Sequence, residues 1–315
     1  MAALSPRWSV EGRGWPHASE SRFVLAGGLR WHVQIFDVER AGGPRDGDVP
    51  RPDILLLHGL GAAGHSWRDV VPILAAHGRV IVPDLPAHGF TERPATRRLT
   101  LPRQARLMKA LLSEIGVTPD LAVAHSAGAP IIARMALEGW PGLRAILAFN
   151  GAFAPFPGLA GQLFPALARG LSLNPVVPRF FSLGAIMDPA SVGRLVRGTG
   201  SALDERGLEL YRRLVSCPGH VSGAIAMMAA WQLEPLYAAL PQLSVPLVLA
   251  TGSGDRAVPP SDAETLAARV PGARVVPLGG LGHLAHEEAP DRAAALILET
   301  ARRTGVLPAN AVAAE

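Results

Sequence analysis

Leu121-Ala122-Val123-Ala124-His125-Ser126-Ala127-Gly128 is the stretch that decides the fold. An apolar run of strand type ends in a serine, and helical spacing begins at once, from about Ala127 to Leu137. A serine on so tight a strand-to-helix turn needs flanking residues without a γ atom. Ala124 and Gly128 both satisfy this, although glycine is the usual residue at the first position. The turn would lift Ser126 Oγ above the end of a sheet. It would also leave the Ala127 N–H unpaired at a helix start, where it can bind an anion. An ordinary serine-containing helix start is the plainer alternative, and the rest of the chain must choose between them.

Three other loops choose. Leu57-His58-Gly59-Leu60-Gly61 follows the strand-like run Asp53–Leu57, and places the Leu60 N–H as the second donor of an oxyanion hole, with His58 bracing the loop. Leu247–Ala250 leads into Thr251-Gly252-Ser253-Gly254-Asp255, so Asp255 is the expected acid. The rival place for an acid, after the sixth strand, holds Asn150, which carries no charge. Gly280-Leu281-Gly282-His283 supplies the base; His286 belongs to the following turn. A further loop, Pro83-Asp84-Leu85-Pro86-Ala87-His88-Gly89-Phe90-Thr91, is read as structural. With the order Ser126, Asp255, His283, each after a strand, the chain resembles the α/β-hydrolase superfamily. The resemblance implies an α/β fold with a mostly parallel eight-stranded sheet, helices on both faces, and a helical lid after the sixth strand. A serine nucleophile argues against the aspartate-dependent chemistry of haloalkane dehalogenases and epoxide hydrolases.

Periodicity supplies the same frame. Arg22–Leu25 and Leu29–Ile35 flank Gly27-Gly28 and predict an antiparallel hairpin. Strand-like runs at 80–82 and 143–149, and others near 246–250 and 274–276, alternate with helical spacing at 66–77, 99–115, 261–269 and 290–303. The alternation breaks from about 152 to 240, where helical pieces such as 208–215 and 221–231 lie between Pro- and Gly-rich joints. The expected division is a core of residues 1–151 and 241–315 with a lid of 152–240.

Composition excludes several classes. The chain of 315 residues is 49% apolar and 18% charged, as a globular chain should be. Its net charge is +4, but the arginines are scattered and Lys109 is the one lysine, so no nucleic-acid partner is expected. Cys217 is the one cysteine, which rules out an internal disulfide and a thiolate metal site. No metal and no cofactor is predicted. The first twenty residues carry charges without an apolar core, so no signal peptide is expected and the location is cytoplasmic. Residues 145–168 lack any charge, yet Pro155, Pro157 and Pro165 with several glycines forbid a regular transmembrane helix. Peripheral membrane contact stays open.

Several phrases point to a branch of the superfamily. Gly198-Thr199-Gly200-Ser201, Pro218-Gly219-His220-Val221 and Met227-Met228-Ala229-Ala230-Trp231 are among them, with Ser21–Val24 and Gly28–Gln34 near the start. Together they resemble the magnesium-chelatase accessory α/β-hydrolases of bacteriochlorophyll biosynthesis. The resemblance implies a role near magnesium insertion into protoporphyrin IX, with magnesium chelatase as a partner and a small apolar or porphyrin-like substrate. Trp231, Met227, Phe153 and His125 are the candidate substrate contacts, although a Met and Trp run packs a lid's own core more often than it touches ligand. Two other readings are a non-catalytic porphyrin-binding or delivery protein, and a general carboxylesterase or cofactor-free haloperoxidase outside pigment metabolism.

Overall fold

The computed structural model describes residues 5–37, 51–155, 170, 174 and 176–309. Most of the 41–52 loop and residues 156–168 of the uncharged stretch lie outside the described residues.

The chain opens with a hairpin of β1 (Ser21–Ala26) and β2 (Leu29–Phe36). Gly27 and Gly28 form its turn at φ 56° and 71°, the left-handed pair that a two-residue hairpin loop requires. There follow β3 (Asp53–Leu57), α1 (Val71–Ala75), β4 (Arg79–Pro83), α2 (Leu101–Glu114), β5 (Leu121–His125), α3 (Gly128–Leu137) and β6 (Ala145–Phe149). Among the described residues five helices come next: α4 (Val176–Met187), α5 (Ala190–Gly198), α6 (Glu205–Val215), α7 (Pro218–Ala230) and α8 (Glu234–Ala239). The chain then returns through β7 (Leu247–Gly252), α9 (Pro260–Ala267), β8 (Arg274–Leu278), α10 (Ala285–Glu288) and α11 (Pro290–Arg303).

The eight strands form one sheet in the order β1-β2-β4-β3-β5-β6-β7-β8. The sheet is mixed, which corrects the expectation of a mostly parallel one. β2 runs antiparallel to β1 and also to β4, while the pairings from β4 through β8 are parallel. The tight glycine turn forces the first reversal. The second was not visible in the sequence, because it depends on β2 choosing β4 as its other neighbour.

Side chains alternate through the central strands into two cores. Leu55, Leu57, Ala122, Ala124, Ile146 and Ala148 face α2 and α3. Ile54, Leu56, Leu121, Val123, Leu147 and Phe149 face α1 and α11. Strands buried on both sides read as continuous apolar runs, and helices cover both faces. The parallel strands all end on one edge, so the loops after β3, β5, β6, β7 and β8 gather there. No helix among the described residues is long and apolar enough to cross a membrane.

Candidate active site

Ser126 occupies the turn between β5 and α3 at φ 47°, a strained value for a residue with a side chain. The turn is held by Ser126 N–H donating to Phe149 O at 3.0 Å and Ala129 N–H donating to Ser126 O at 3.1 Å. Close packing explains the glycines around it. A Cβ on Gly128 would lie 2.8 Å from His58 O, and one on Gly59 would lie 3.0 Å from the Ser126 Cβ.

His283 Nε2 is 3.0 Å from Ser126 Oγ, and His283 Nδ1 is 2.8 Å from Asp255 Oδ2. The three residues, drawn from the loops after β5, β7 and β8, are each 7–8% exposed, so they lie just beneath the surface. Asp255 is heavily supported. Its Oδ1 accepts from Ala257 N–H at 2.7 Å and Val258 N–H at 2.9 Å, and its Oδ2 also accepts from Asn150 Nδ2 at 2.6 Å. Asn150, the neutral residue at the rival acid position, thus donates to the acid. Such a chain can move the serine proton to the imidazole, with a fixed carboxylate holding the ring.

The Leu60 and Ala127 amides donate to no other group among the described residues. Leu60 is held by its neighbours. His58 takes Leu85 N–H on Nε2 at 2.8 Å and places Nδ1 2.8 Å from Gly59 O, joining the loops after β3 and β4. The Asp84 loop is structural in the same sense. Asp84 accepts from Gly64 N–H, Phe90 N–H and the His32 ring. Burial would raise its carboxyl, but His32 and these donors outweigh it and hold the group below the usual carboxylate range.

The helical segment between β6 and β7 is tied into these loops. Leu284 N–H donates to Ser201 Oγ at 2.8 Å, and Arg256 N–H donates to Thr199 O at 3.0 Å. Gly200 stands at φ 87°, where a Cβ would fall 1.9 Å from Gly254 O; a Cβ on Gly282 would fall 2.3 Å from Gly200 O. Gly198-Thr199-Gly200-Ser201 therefore clasps the acid loop and the base loop together. Its glycine density was visible in the sequence, but its partners were not. Further ties are His220 on α7, with Nε2 3.0 Å from Gly61 O, and Tyr211 on α6, whose hydroxyl donates to buried Glu287 at 2.6 Å. Arg68 pairs with the other Glu287 oxygen at 2.6 Å.

The sheet order and this loop cluster agree with the family comparison, in which the model of an alpha/beta hydrolase family matches residues 54–296. The chain belongs to the α/β-hydrolase family. It is 40% identical over 286 residues to the magnesium-chelatase 30 kDa subunit of Rhodobacter capsulatus, covering 90% of this chain and 95% of that one. It is 31% identical over 269 residues to a pimeloyl-[acyl-carrier protein] methyl ester esterase of Aromatoleum aromaticum, covering 80% and 99%. An α/β-hydrolase-fold protein from Burkholderia ambifaria superposes with a TM-score of 0.71 at 23% identity, covering 88% of this chain and 97% of that structure.

In this α/β hydrolase the remaining candidate residues fall in different places. His125 is buried, with Nε2 2.8 Å from His283 O, and its ring lies between those of His283 and His286. Its ring nitrogen is thus engaged with the backbone of the base. Burial, then the neighbouring His286 and His283, lowers its pKa well below the usual histidine value. His286 is fully buried under Trp67, 4.3 Å away, and has no hydrogen-bond partner on either nitrogen among the described residues. Met227 and Phe153 belong to the same buried apolar cluster. Phe153 also lines a void of about 10 Å³ beside Asn150. Trp231 is half-buried and donates its indole N–H to Leu99 O at 3.1 Å. Among the described residues no group of three or more His, Cys, Asp or Glu could hold a metal ion.

Proposed function

We propose that this α/β hydrolase is a serine hydrolase that acts on an ester or related acyl bond. In this reading Ser126 Oγ attacks the acyl carbonyl and His283 Nε2 takes its proton, then returns it to the leaving group. Asp255 holds the imidazole tautomer and stabilises its cation. The Leu60 and Ala127 amides receive the oxyanion, where loss of one donor costs about 3–4 kcal/mol of transition-state stabilisation. Water then releases the acyl group. The observation that carries this reading is the continuous Ser126–His283–Asp255 contact at 3.0 and 2.8 Å. Residues 152–240 act as a lid on a core made of 1–151 and 241–315. Met227 and Phe153, both buried, pack that lid against the core.

The likeness to the magnesium-chelatase 30 kDa subunit supports placing this activity beside magnesium insertion into protoporphyrin IX. On this reading magnesium belongs to the chelatase as its cargo, and the present chain works in the cytoplasm on a porphyrin-like or other small apolar acyl substrate. The test is a strain in which Ser126→Ala replaces the native residue. Loss of bacteriochlorophyll with accumulation of protoporphyrin IX is expected. Normal pigment from that strain would mean that the chain serves the pathway by binding or delivering porphyrin rather than by catalysis.

A further inference from the structure

The outer face of α4 stands apart from the rest of the surface. Nine large apolar side chains are exposed among the described residues, and seven of them lie on α4 and α5: Val176, Phe180, Phe181, Leu183, Ile186, Met187 and Leu195. Phe180 and Met187 are each 75% exposed. The pattern is that of a helix with two assigned faces. Pro178, Ser182 and Ala185 are its buried residues, spaced to form one inward stripe. Ala185 joins a cluster with Ala62 and Leu284, which neighbour the Leu60 and His283 loops. Val176, Phe180, Leu183 and Met187 form the opposite stripe.

Charge narrows what can cover this face. The charged residues of 176–198 are Arg179, Asp188, Arg194 and Arg197. Asp188 is paired with Arg194. Arg179 and Arg197 are exposed and have no carboxylate partner among the described residues. The face is therefore apolar with free positive charge only. A protein partner would be expected to form about one hydrogen bond per 100–200 Å² of interface. Apart from Arg179, the outward side chains of α4 offer no hydrogen-bonding group. A helix with an aromatic and aliphatic outer face flanked by arginine suits the headgroup and acyl boundary of an anionic bilayer. Between α4 and α5 runs a groove of about 280 Å³, lined by Phe180, Phe181, Ala185, Val192, Leu195 and Val215, which could receive part of a lipid tail.

We propose that α4 and α5 form a docking face for an anionic lipid surface, with the outer stripe of α4 seated among the headgroups. On the inward side Ala185 packs with Ala62 and Leu284, so the docking face is built on the helix that abuts the loops carrying Leu60 and His283. The proposal does not depend on Ser126 being a nucleophile.

Flotation of the full chain with vesicles tests it. One vesicle set contains equal parts phosphatidylglycerol and phosphatidylcholine; the other is pure phosphatidylcholine. The wild type should float with the anionic set at least about fivefold more than with the neutral set, and the difference should shrink at high salt. The double variant Phe180→Glu/Phe181→Glu should lose about tenfold or more of the bound fraction while its melting temperature stays near that of the wild type. Arg179→Gln/Arg197→Gln, a milder change, should fall to the neutral-vesicle level. The proposal is overturned if the wild type binds neither set, or if both double variants float as the wild type does. It is also overturned if light scattering shows a dimer that Phe180→Glu/Phe181→Glu dissociates while vesicles remain unbound, since the face would then join two copies.

Discussion

The helical segment between β6 and β7 meets the rest of the molecule in two unlike ways. Its inner joints are stitched by short, specific contacts. Ser201 caps the Leu284 amide, Thr199 takes the Arg256 amide, and His220 reaches Gly61 O in the loop after β3. Its outer helix α4 exposes six large apolar side chains and, among the described residues, makes no such contacts on that side. The difference separates two jobs within one inserted segment. Changes at the inner joints should disturb chemistry, because they move loops that carry Asp255 and His283. Changes on the outer face should disturb only what the segment touches outside the fold.

The sharpest break of that comparison lies at the inner end, in the residues that the joints hold. Asp255→Asn keeps the shape but presents the wrong hydrogen-bond donor to His283, and should lower kcat on a p-nitrophenyl ester about ten-thousand-fold. Gly200→Ala comes next. The new methyl would meet Gly254 O at 1.9 Å in a left-handed backbone position, so the loop that carries Asp255 must move away from Gly200. Misplacement of about 1 Å costs about a hundredfold, and kcat/KM should fall by that order with a lowered melting temperature. An unchanged rate in Gly200→Ala would show that the clasp does not position the triad.

The smallest expected effect is a pH dependence. His58, His65, His88, His125, His220 and His286 are buried, and burial is the first cause lowering each pKa. For His220 the value falls to about 4. Its Nδ1 accepts from Gly89 N–H at 3.1 Å, so protonation would set two donors against each other. The His88 ring is 5.4 Å away, and the nearby charges that act on it are those of His58 and Asp84. A folded pKa below the unfolded 6.5 means that the unfolded chain binds the proton first. The stabilisation is therefore complete above about pH 6.5 and is lost toward pH 4, at about 1.4 kcal/mol per unit for a single group. Chemical denaturation followed from pH 7 to 4.5 should show stability falling steeply. His220→Gln, which keeps a donor and an acceptor, should show a shallower fall. Equal slopes would mean that the ring does not enter folded structure neutral.

The core of this fold was legible because its signals are local. Apolar runs buried on both sides, small flanks at Ser126 and glycine turns at 27–28 each report a backbone requirement at the residue itself. The loop order followed from placing each chemical residue after a strand. What escaped was contact between distant loops. That β2 would lie against β4 could not be read from either strand alone. Asn150 was read as an empty acid position, yet its amide donates to Asp255 from 105 residues away. Gly200 showed only as glycine density, since its requirement is set by the distant Gly254 carbonyl. His125 is a candidate substrate contact by sequence, and in the structure its Nε2 lies 2.8 Å from His283 O, a partner 158 residues on.

The central claim is that Ser126 is a nucleophile made reactive by His283. The most direct measurement is peptide mapping by mass spectrometry after treatment with a fluorophosphonate, run on the wild type and on His283→Ala. One adduct is expected, on Ser126, formed quickly in the wild type and about a thousandfold or more slower in the variant. An unmodified Ser126, or equal labelling rates in the two proteins, would contradict it.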